Sequence, residues 1–234
     1  MIKAVFLDFY NTLVHFSPMR EDVQARACSS FGIQTTPDGL ARGYALADAY
    51  MDSENAGDLP LARRSQEEQR RFFAEYERLI LQGAGVDVDL PTAGRIWDNV
   101  LRVPHGLALY DDVLPALDLL RLREMTLGVL SNINRDMETL SQELGLAPYL
   151  DFTVTSGEVG RGKPHPPIFL AALERAGVVE PREVLHVGDS YASDVLGARG
   201  VGIHPLLLDR DGTQTHVTDC PRISSLMEVV EHLG

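Results

Sequence analysis

Short runs of apolar residues recur along the chain, and each run ends abruptly at a polar residue. The three clearest runs lack the alternation of apolar and polar positions that marks a half-exposed strand, so they predict strands buried on both faces, as in a parallel sheet. They cover residues 4–7, 127–130 and 184–187, and two weaker strand candidates cover residues 152–155 and 203–208. Helical periodicity appears between the strands, at residues 112–122, 135–144, 166–176, 194–199 and 224–233. Strands that alternate with helices in this way predict right-handed crossovers and a doubly wound α/β sheet.

Residues from about 17 to 104 break this rhythm, because they show helical periodicity and contain no convincing strand. One of their helical segments opens with a capping-box pattern, in which Ser65 is followed three residues later by Glu68. We therefore expect an α-helical domain inserted after the first strand. The predicted division is a core formed by residues 1–16 and 105–234 and an inserted helical domain formed by residues 17–104.

The amino-acid composition limits the kinds of molecule that this protein is expected to bind. The 234 residues suit one core with an inserted domain, and 44% hydrophobic with 24% charged residues is ordinary for a globular protein. The chain has 34 acidic and 21 basic residues, which gives a net charge of −13. A surface that binds nucleic acid or an anionic membrane needs a basic footprint, so we expect neither partner. A phosphorylated substrate would have to be captured by a few local cations.

The two cysteines, Cys28 and Cys220, lie far apart in the sequence and match no metal-binding spacing. The first seven residues read as a strand rather than a secretory signal, and no apolar run approaches the ~20 residues of a membrane-spanning helix. These features predict a protein of the reducing cytoplasm with reduced thiols. The sequence carries no signal for an oligomeric state.

Two histidines, His186 and His204, lie within the predicted strands. A histidine inside a buried strand is more often a core residue than a ligand. We therefore predict that both of them are core residues.

Polar side chains follow the predicted strands at their carboxyl ends, where open α/β sheets bind ligands. These residues are Asp8, Tyr10, Thr12, Ser131, Asn132, Asp189 and Asp194, and Lys163 lies on a loop between strands. A hard cation such as Mg²⁺ prefers oxygen ligands and binds one or two carboxylates together with a substrate phosphate. A lysine would neutralise the remaining phosphate charge, and a carboxylate beside a phosphoryl group can attack it.

These segments resemble the four motifs of the haloacid dehalogenase-like hydrolase superfamily, in the form that carries a helical cap after the first strand. The matching segments occur in the family's order, at residues 8–13, 131–132, 163–169 and 188–194. The resemblance implies a Rossmann-like core with an inserted α-helical cap. It also implies that Asp8 is the nucleophile and that Lys163 holds both the phosphate and the nucleophile.

The same resemblance implies a Mg²⁺ site and a substrate site. The implied metal ligands are Asp8, the main-chain carbonyl of Tyr10, Asp189 and Asp194, and the predicted substrate-binding residues are Thr12, Ser131, Asn132 and Lys163. Nothing in the cap matches a motif, so the resemblance does not identify the substrate beyond a small molecule, most simply a phosphorylated one.

Two residues of the first motif depart from the pattern of the family's phosphatases. Those enzymes usually carry a second aspartate two residues after the nucleophile, as a general acid and base, where this chain has Tyr10. Asn11 replaces the usual glycine or acid. A tyrosine at this position is similar to the 2-haloacid dehalogenases, which lack the paired aspartates of the fourth motif. This chain keeps Asp189 and Asp194 and lacks the Arg/Trp-rich cap signature of those dehalogenases.

Three functions therefore stand as hypotheses. A Mg²⁺-dependent phosphatase of small phosphate monoesters, acting through an aspartyl-phosphate on Asp8, is favoured because three carboxylates kept together indicate a bound cation. The leading alternative is a 2-haloacid dehalogenase-type hydrolase that forms an ester on Asp8. The third is a catalytically weak protein that binds a phosphorylated ligand. Tyr10 is either a residue with an active hydroxyl or only a packing residue.

Overall fold

The computed structural model describes residues 1–57, 59, 61–133, 135–177 and 180–234. The chain divides into two compact units, one formed by residues 1–15 and 108–234 and the other by residues 16–107. The second unit begins one residue before, and ends three residues after, the insertion expected at residues 17–104.

The first unit is built on a parallel sheet. The strands of the described residues are β1 (Ala4–Asp8), β2 (Val14–Ser17), β3 (Gly106–Leu109), β4 (Thr126–Ser131), β5 (Phe152–Thr155), β6 (Val184–Gly188), β7 (His204–Leu208) and β8 (Arg222–Ile223). Six of them form one sheet in the order β5–β4–β1–β6–β7–β8, and the paired neighbours run parallel. All five predicted strands are present, which confirms the doubly wound α/β fold.

The position of the central strand β1 determines where the predicted site residues meet. Its residues are buried on both faces, as the unbroken apolar run predicts. It pairs with β4, with Asp8 opposite Leu130, and with β6, with Leu7 opposite Val187. The carboxyl ends of all three strands therefore meet at one edge of the sheet. Asp8 and Ser131 are the last residues of β1 and β4, and Asp189 directly follows β6.

The helices follow the predicted pattern with local differences, one of which is the unpredicted short helix α7 (Ser156–Val159). The α-helices are α1 (Arg20–Ser29), α2 (Pro37–Asn55), α3 (Gln66–Gly83), α4 (Leu90–Val100), α5 (Val113–Leu122), α6 (Met137–Glu143), α7 (Ser156–Val159), α8 (Pro166–Ala176) and α9 (Leu196–Gly200). The helix expected at residues 194–199 begins earlier, as a π-helix over Tyr191–Val195 that leads into α9. The segment expected to be helical at residues 224–233 forms a 3₁₀-helix over Leu226–His232.

The second unit is helical, with α1 to α4 packed around aromatic residues. The predicted capping box is present at the start of α3, where the Ser65 hydroxyl accepts from the Glu68 amide and the Glu68 carboxylate accepts from the Ser65 amide. Phe73 of α3 stacks on Trp97 of α4, with ring centroids 4.8 Å apart. Among the described residues of this unit, no strand lies wholly inside it, but β2 and β3 cross its two boundaries at residues 16 and 107 and pair with each other.

The two strand histidines differ in burial. His186 lies in the middle of β6, between β1 and β7, and is 1% exposed, as predicted. His204 is exposed, so its prediction as a core residue is wrong. It is the first residue of β7, where the strand has only begun to enter the sheet.

Among the residues that the structure describes, no helix is both long enough and apolar enough to cross a membrane.

Candidate active site

A buried lysine bridges two carboxylates at the edge of the sheet. Lys163, which is 3% exposed, donates from Nζ to Oδ1 of Asp8 and to Oδ1 of Asp194, the latter at 2.7 Å. A buried ammonium is stable only when it is paired and hydrogen-bonded. Burial by itself would lower the pKa of Lys163, but attraction by Asp194 and Asp8 outweighs it and raises the pKa above its usual value. The lysine therefore carries a positive charge against the predicted nucleophile.

Asp194 is held by three donors. Its Oδ1 accepts from Lys163 and from Nε2 of His186 at 2.8 Å, and its Oδ2 accepts from the Ser190 main-chain N–H at 3.1 Å. Burial would raise the pKa of Asp194, but Lys163 and the His186 hydrogen bond hold it well below its usual range. The carboxylate lies against Gly188, where a Cβ atom would fall 2.1 Å from Asp194 Cγ. Glycine is therefore required at position 188.

The His186 contact is one that sequence reasoning missed. A strand position predicts burial for this histidine, and it is buried. Its bond to Asp194 depends on the π-helix that turns the carboxylate back towards β6. The only sequence signal is the position of His186 on β6, three residues before Asp189, which directly follows that strand.

The three predicted acidic residues converge. Asp8, Asp189 and Asp194 each offer a carboxylate oxygen, and the three oxygens lie within 4.8 Å of one another. Burial, with repulsion by Asp194, raises the pKa of Asp8. Burial, with repulsion by Asp8 and Asp194, raises the pKa of Asp189 well above its ordinary value. A hard cation would relieve this repulsion, and the all-oxygen donor set fits Mg²⁺.

The first-motif loop is a tight turn that follows β1. The main-chain N–H groups of Leu13 and Val14 donate to the Phe9 carbonyl, and the Asn11 N–H donates to the Val14 carbonyl. Tyr10 is half-buried on this turn. Thr12 is fully buried, and its carbonyl accepts from Nη2 of Arg210 at 2.8 Å. Substrate contact through the Thr12 hydroxyl stays a prediction.

Asn132 contacts the main chain of Lys163, and its predicted contact with a substrate stays a prediction. Its Nδ2 donates to the Lys163 carbonyl at 2.9 Å, and its Oδ1 accepts from the Lys163 N–H at 2.7 Å. Both ends of the amide therefore bind the main chain that carries the lysine, so the structure places Asn132 as a clamp on Lys163. A side chain at Gly162 would collide with this clamp, because a Cβ atom there would lie 2.1 Å from Asn132 Oδ1.

Ser131 ends β4 and is 2% exposed. Its hydroxyl accepts from the Ile133 N–H at 3.2 Å, which bends the chain away from the sheet. The hydroxyl keeps its own proton for a further acceptor, since Oγ is the acceptor in this bond. Ser131 is thus brought to the same edge as Asp8, and its contact with a substrate stays a prediction.

Comparison with known proteins identifies a family. The sequence model of the haloacid dehalogenase-like hydrolases matches residues 2–202, which is most of the chain. The human protein called haloacid dehalogenase-like hydrolase domain-containing protein 3 is 43% identical over 209 residues, which cover 88% of this chain and 82% of that protein. The matches to the mouse and zebrafish proteins of the same name span only 35% and 45% of their lengths.

Some relatives have names that state an activity. A phosphoserine phosphatase of Thermus thermophilus is 38% identical over 201 residues, covering 83% of this chain and 69% of that enzyme. Among solved structures, the HAD-hydrolase YfnB of Bacillus subtilis, solved with magnesium, has a TM-score of 0.70 at 16% identity over all of this chain and 99% of its own. A 2-haloacid dehalogenase of Pseudomonas syringae has a TM-score of 0.60 at 26% identity, covering 100% of this chain and 98% of that one.

Proposed function

The chain belongs to the haloacid dehalogenase-like hydrolases, and we propose that it hydrolyses small phosphate monoesters through an aspartyl-phosphate formed on Asp8. The main support for this proposal is the cluster of Asp8, Asp189 and Asp194, whose carboxylate oxygens lie within 4.8 Å of one another. The site has one lysine for these three carboxylates. Displacement of a halide needs no metal, so a dehalogenase has no use for this excess of negative charge. A phosphatase uses it to bind a cation that the substrate phosphate shares.

Each residue of the cluster then has a distinct part. Asp8 attacks the phosphorus atom and the alcohol leaves; water later attacks the acyl phosphate and releases phosphate, which regenerates the carboxylate. Lys163 orients Asp8 through its hydrogen bond and offsets negative charge on the phosphoryl oxygens. Asn132 holds the main chain of Lys163 and thereby fixes where the ammonium lies.

We propose that Asp8, Asp189 and the main-chain carbonyl of Tyr10 would hold Mg²⁺, which supplies charge stabilisation to the transferring phosphoryl group when it is bound. Asp194 has hydrogen bonds on both of its oxygens from three donors. Its part in the site is therefore to fix Lys163 and to add negative charge. A carboxylate has about four acceptor sites, so three donors leave one, and the ligation of Mg²⁺ by Asp194 stays a prediction.

The relatives of this chain also favour a phosphatase. The phosphoserine phosphatase, whose name states this class of activity, is 38% identical to this chain over 201 residues. One observation favours the dehalogenase as a second candidate: Tyr10 stands where a phosphatase has its acid and base. Phosphoryl transfer depends mainly on positioning and charge, so the loss of that acid slows a phosphatase without abolishing it.

The test is a panel of phosphate monoesters and 2-haloacids, each assayed with Mg²⁺ and again with EDTA. We expect release of phosphate in Mg²⁺, loss of that release in EDTA, its return when Mg²⁺ is restored, and no release of halide. The variant Asp8→Asn serves as the control, because it keeps the shape of the side chain but cannot form the intermediate. Halide release that is undiminished in EDTA would establish the dehalogenase instead.

A further inference from the structure

Asp189 is held at two points by residues from outside the fourth motif. Nδ2 of Asn11 donates to Asp189 Oδ2 at 3.2 Å, and Nε2 of Gln214 donates to the Asp189 main-chain carbonyl at 2.9 Å. Asn11 lies 178 residues before Asp189 in the chain, and Gln214 lies beyond residue 202, where the family match ends. The proposed metal ligand is thus restrained by two side chains to which the motifs give no role.

The first restraint has a rigid base. Asn11 has φ of +58°, in the left-handed region that asparagine tolerates better than most residues. Its main-chain N–H donates to the Val14 carbonyl at 2.8 Å within the turn that follows β1. The turn therefore fixes the direction in which the amide side chain leaves the main chain. Glycine adopts the same φ readily, so Asn11→Gly removes the amide and leaves the turn unstrained.

The second restraint is anchored by a buried carboxylate. Asp209 follows β7 and is 5% exposed, and its two oxygens accept from the main-chain N–H groups of Thr213 at 2.9 Å and Gln214 at 3.1 Å. These bonds hold the loop from residue 209 to residue 214 in a fixed shape. The Gln214 side chain therefore reaches Asp189 from a loop that is itself restrained.

We infer that Asn11 and Gln214 are positioning residues that hold Asp189 with one carboxylate oxygen engaged and the other directed to the proposed Mg²⁺ site; this inference rests on that site being real. Repulsion by Asp8 and Asp194 would otherwise turn the Asp189 carboxylate away. Mg²⁺ requires nearly ideal geometry, and loss of a hydrogen bond to a ligating carboxylate typically weakens metal binding by about 10- to 100-fold.

The test is calorimetric titration of the full chain with Mg²⁺ alone, in the wild type, Asn11→Gly, Gln214→Ala and the double variant. We expect Asn11→Gly to weaken Mg²⁺ binding about tenfold, the lower end of that range because the 3.2 Å bond is long. We expect Gln214→Ala to weaken it less, because that bond restrains the main chain rather than the carboxylate. Gln142→Ala, an exposed residue of α6, is the matched control and should bind Mg²⁺ like the wild type.

A second readout separates positioning from general stability. The unfolding midpoint of Asn11→Gly in EDTA should equal or exceed that of the wild type, because glycine suits the positive φ. Asn11→Gly that binds Mg²⁺ as tightly as the wild type, or more tightly, overturns the inference while the metal site stands. A wild type that does not bind Mg²⁺ overturns the proposed metal site and the inference with it.

Discussion

Tyr10 is the residue at which this chain departs furthest from the family's phosphatases. The pKa of an unperturbed phenol is near 10, too high for an effective base at neutral pH. Attack by Asp8 on a phosphate with a good leaving group needs little help from an acid. Hydrolysis of the acyl phosphate needs an activated water molecule, and at that step a missing base should slow the reaction. Formation and breakdown of the intermediate should therefore have very different rates.

We accordingly predict a burst of product followed by slow turnover on an aryl phosphate. Tyr10→Asp should raise the steady-state rate by about 10²-fold, the lower end of the effect of one positioned acid–base group. The gain requires Mg²⁺, since the substitution adds a carboxylate to an already crowded site. Rapid-quench kinetics measures the burst and the steady state separately. Tyr10→Phe, which removes only the hydroxyl, is the matched control and should keep the wild-type burst.

Lower turnover of Tyr10→Asp on every phosphate ester would contradict this account. In that case the tyrosine participates in the reaction. This result would favour the 2-haloacid dehalogenase hypothesis, which the tyrosine of the first motif also supports.

At the scale of elements, the sequence predicts most strands of the sheet but fewer of the side-chain contacts at the carboxyl ends of those strands. Unbroken apolar runs such as residues 4–7 identify buried strands because both faces of a central strand must be apolar. The four motifs predict which side chains meet, because parallel strands end at one edge. They do not predict the bond of His186 to Asp194, which arises from the π-helix that follows β6. They also do not predict that Asn132 hydrogen-bonds the main chain of Lys163 through both Nδ2 and Oδ1, since that pairing spans 31 residues.

The short strands β2 and β3 escaped prediction for a related reason. Their residues pair with each other across the inserted segment, so each strand depends on a partner about ninety residues away. A run of four residues with two or three apolar side chains does not indicate a strand by pattern alone. Tertiary pairing stabilises them where local preference does not.

The helices of the second unit contain a buried acid that makes their stability depend on pH. Glu77 of α3 is completely buried, and its Oε1 accepts from Nε2 of Gln24 on α1, which also contacts Cys28. Burial raises the pKa of Glu77 from 4.5 to about 8. Its carboxyl group is therefore protonated in the folded helical unit at neutral pH, and unfolding lets it ionise.

The sign of the pH effect follows from the raised pKa. Protonation of Glu77 stabilises the folded helical unit against unfolding. This contribution to the free energy of unfolding is fully present below about pH 4.5 and is lost progressively as the pH rises through 8, by an amount on the order of a few kcal/mol. Urea unfolding followed by fluorescence reports on this unit, because the single tryptophan, Trp97, lies in α4. Glu77→Gln should flatten the pH dependence between 5 and 8, whereas Glu67→Gln, an exposed residue of the same helix, should leave it unchanged. A profile that stays as steep in Glu77→Gln would mean that another group is responsible.

At the scale of the whole molecule, the net charge of −13 opposes the approach of a phosphate dianion. The site itself is close to neutral when the proposed cation is bound, since one lysine and one divalent ion balance three carboxylates. Long-range repulsion by the rest of the protein is then the main electrostatic effect on a substrate in solution, and salt screens it, with a Debye length of about 10 Å at 0.1 M.

This balance predicts two opposite effects of salt. At saturating Mg²⁺, kcat/KM for a phosphate dianion should rise by about two- to fivefold between roughly 20 and 200 mM ionic strength, because screening reduces the repulsion. The affinity for Mg²⁺ should fall over the same range, because there the same negative charge attracts the ligand. Steady-state kinetics on two aryl phosphates that differ only by a remote carboxylate or trimethylammonium group checks the cause, since the carboxylate should steepen the rise and the ammonium should flatten it. A fall of kcat/KM with salt for both substrates would show that local cations such as Lys163 dominate capture, and that the acidic surface is too distant to matter.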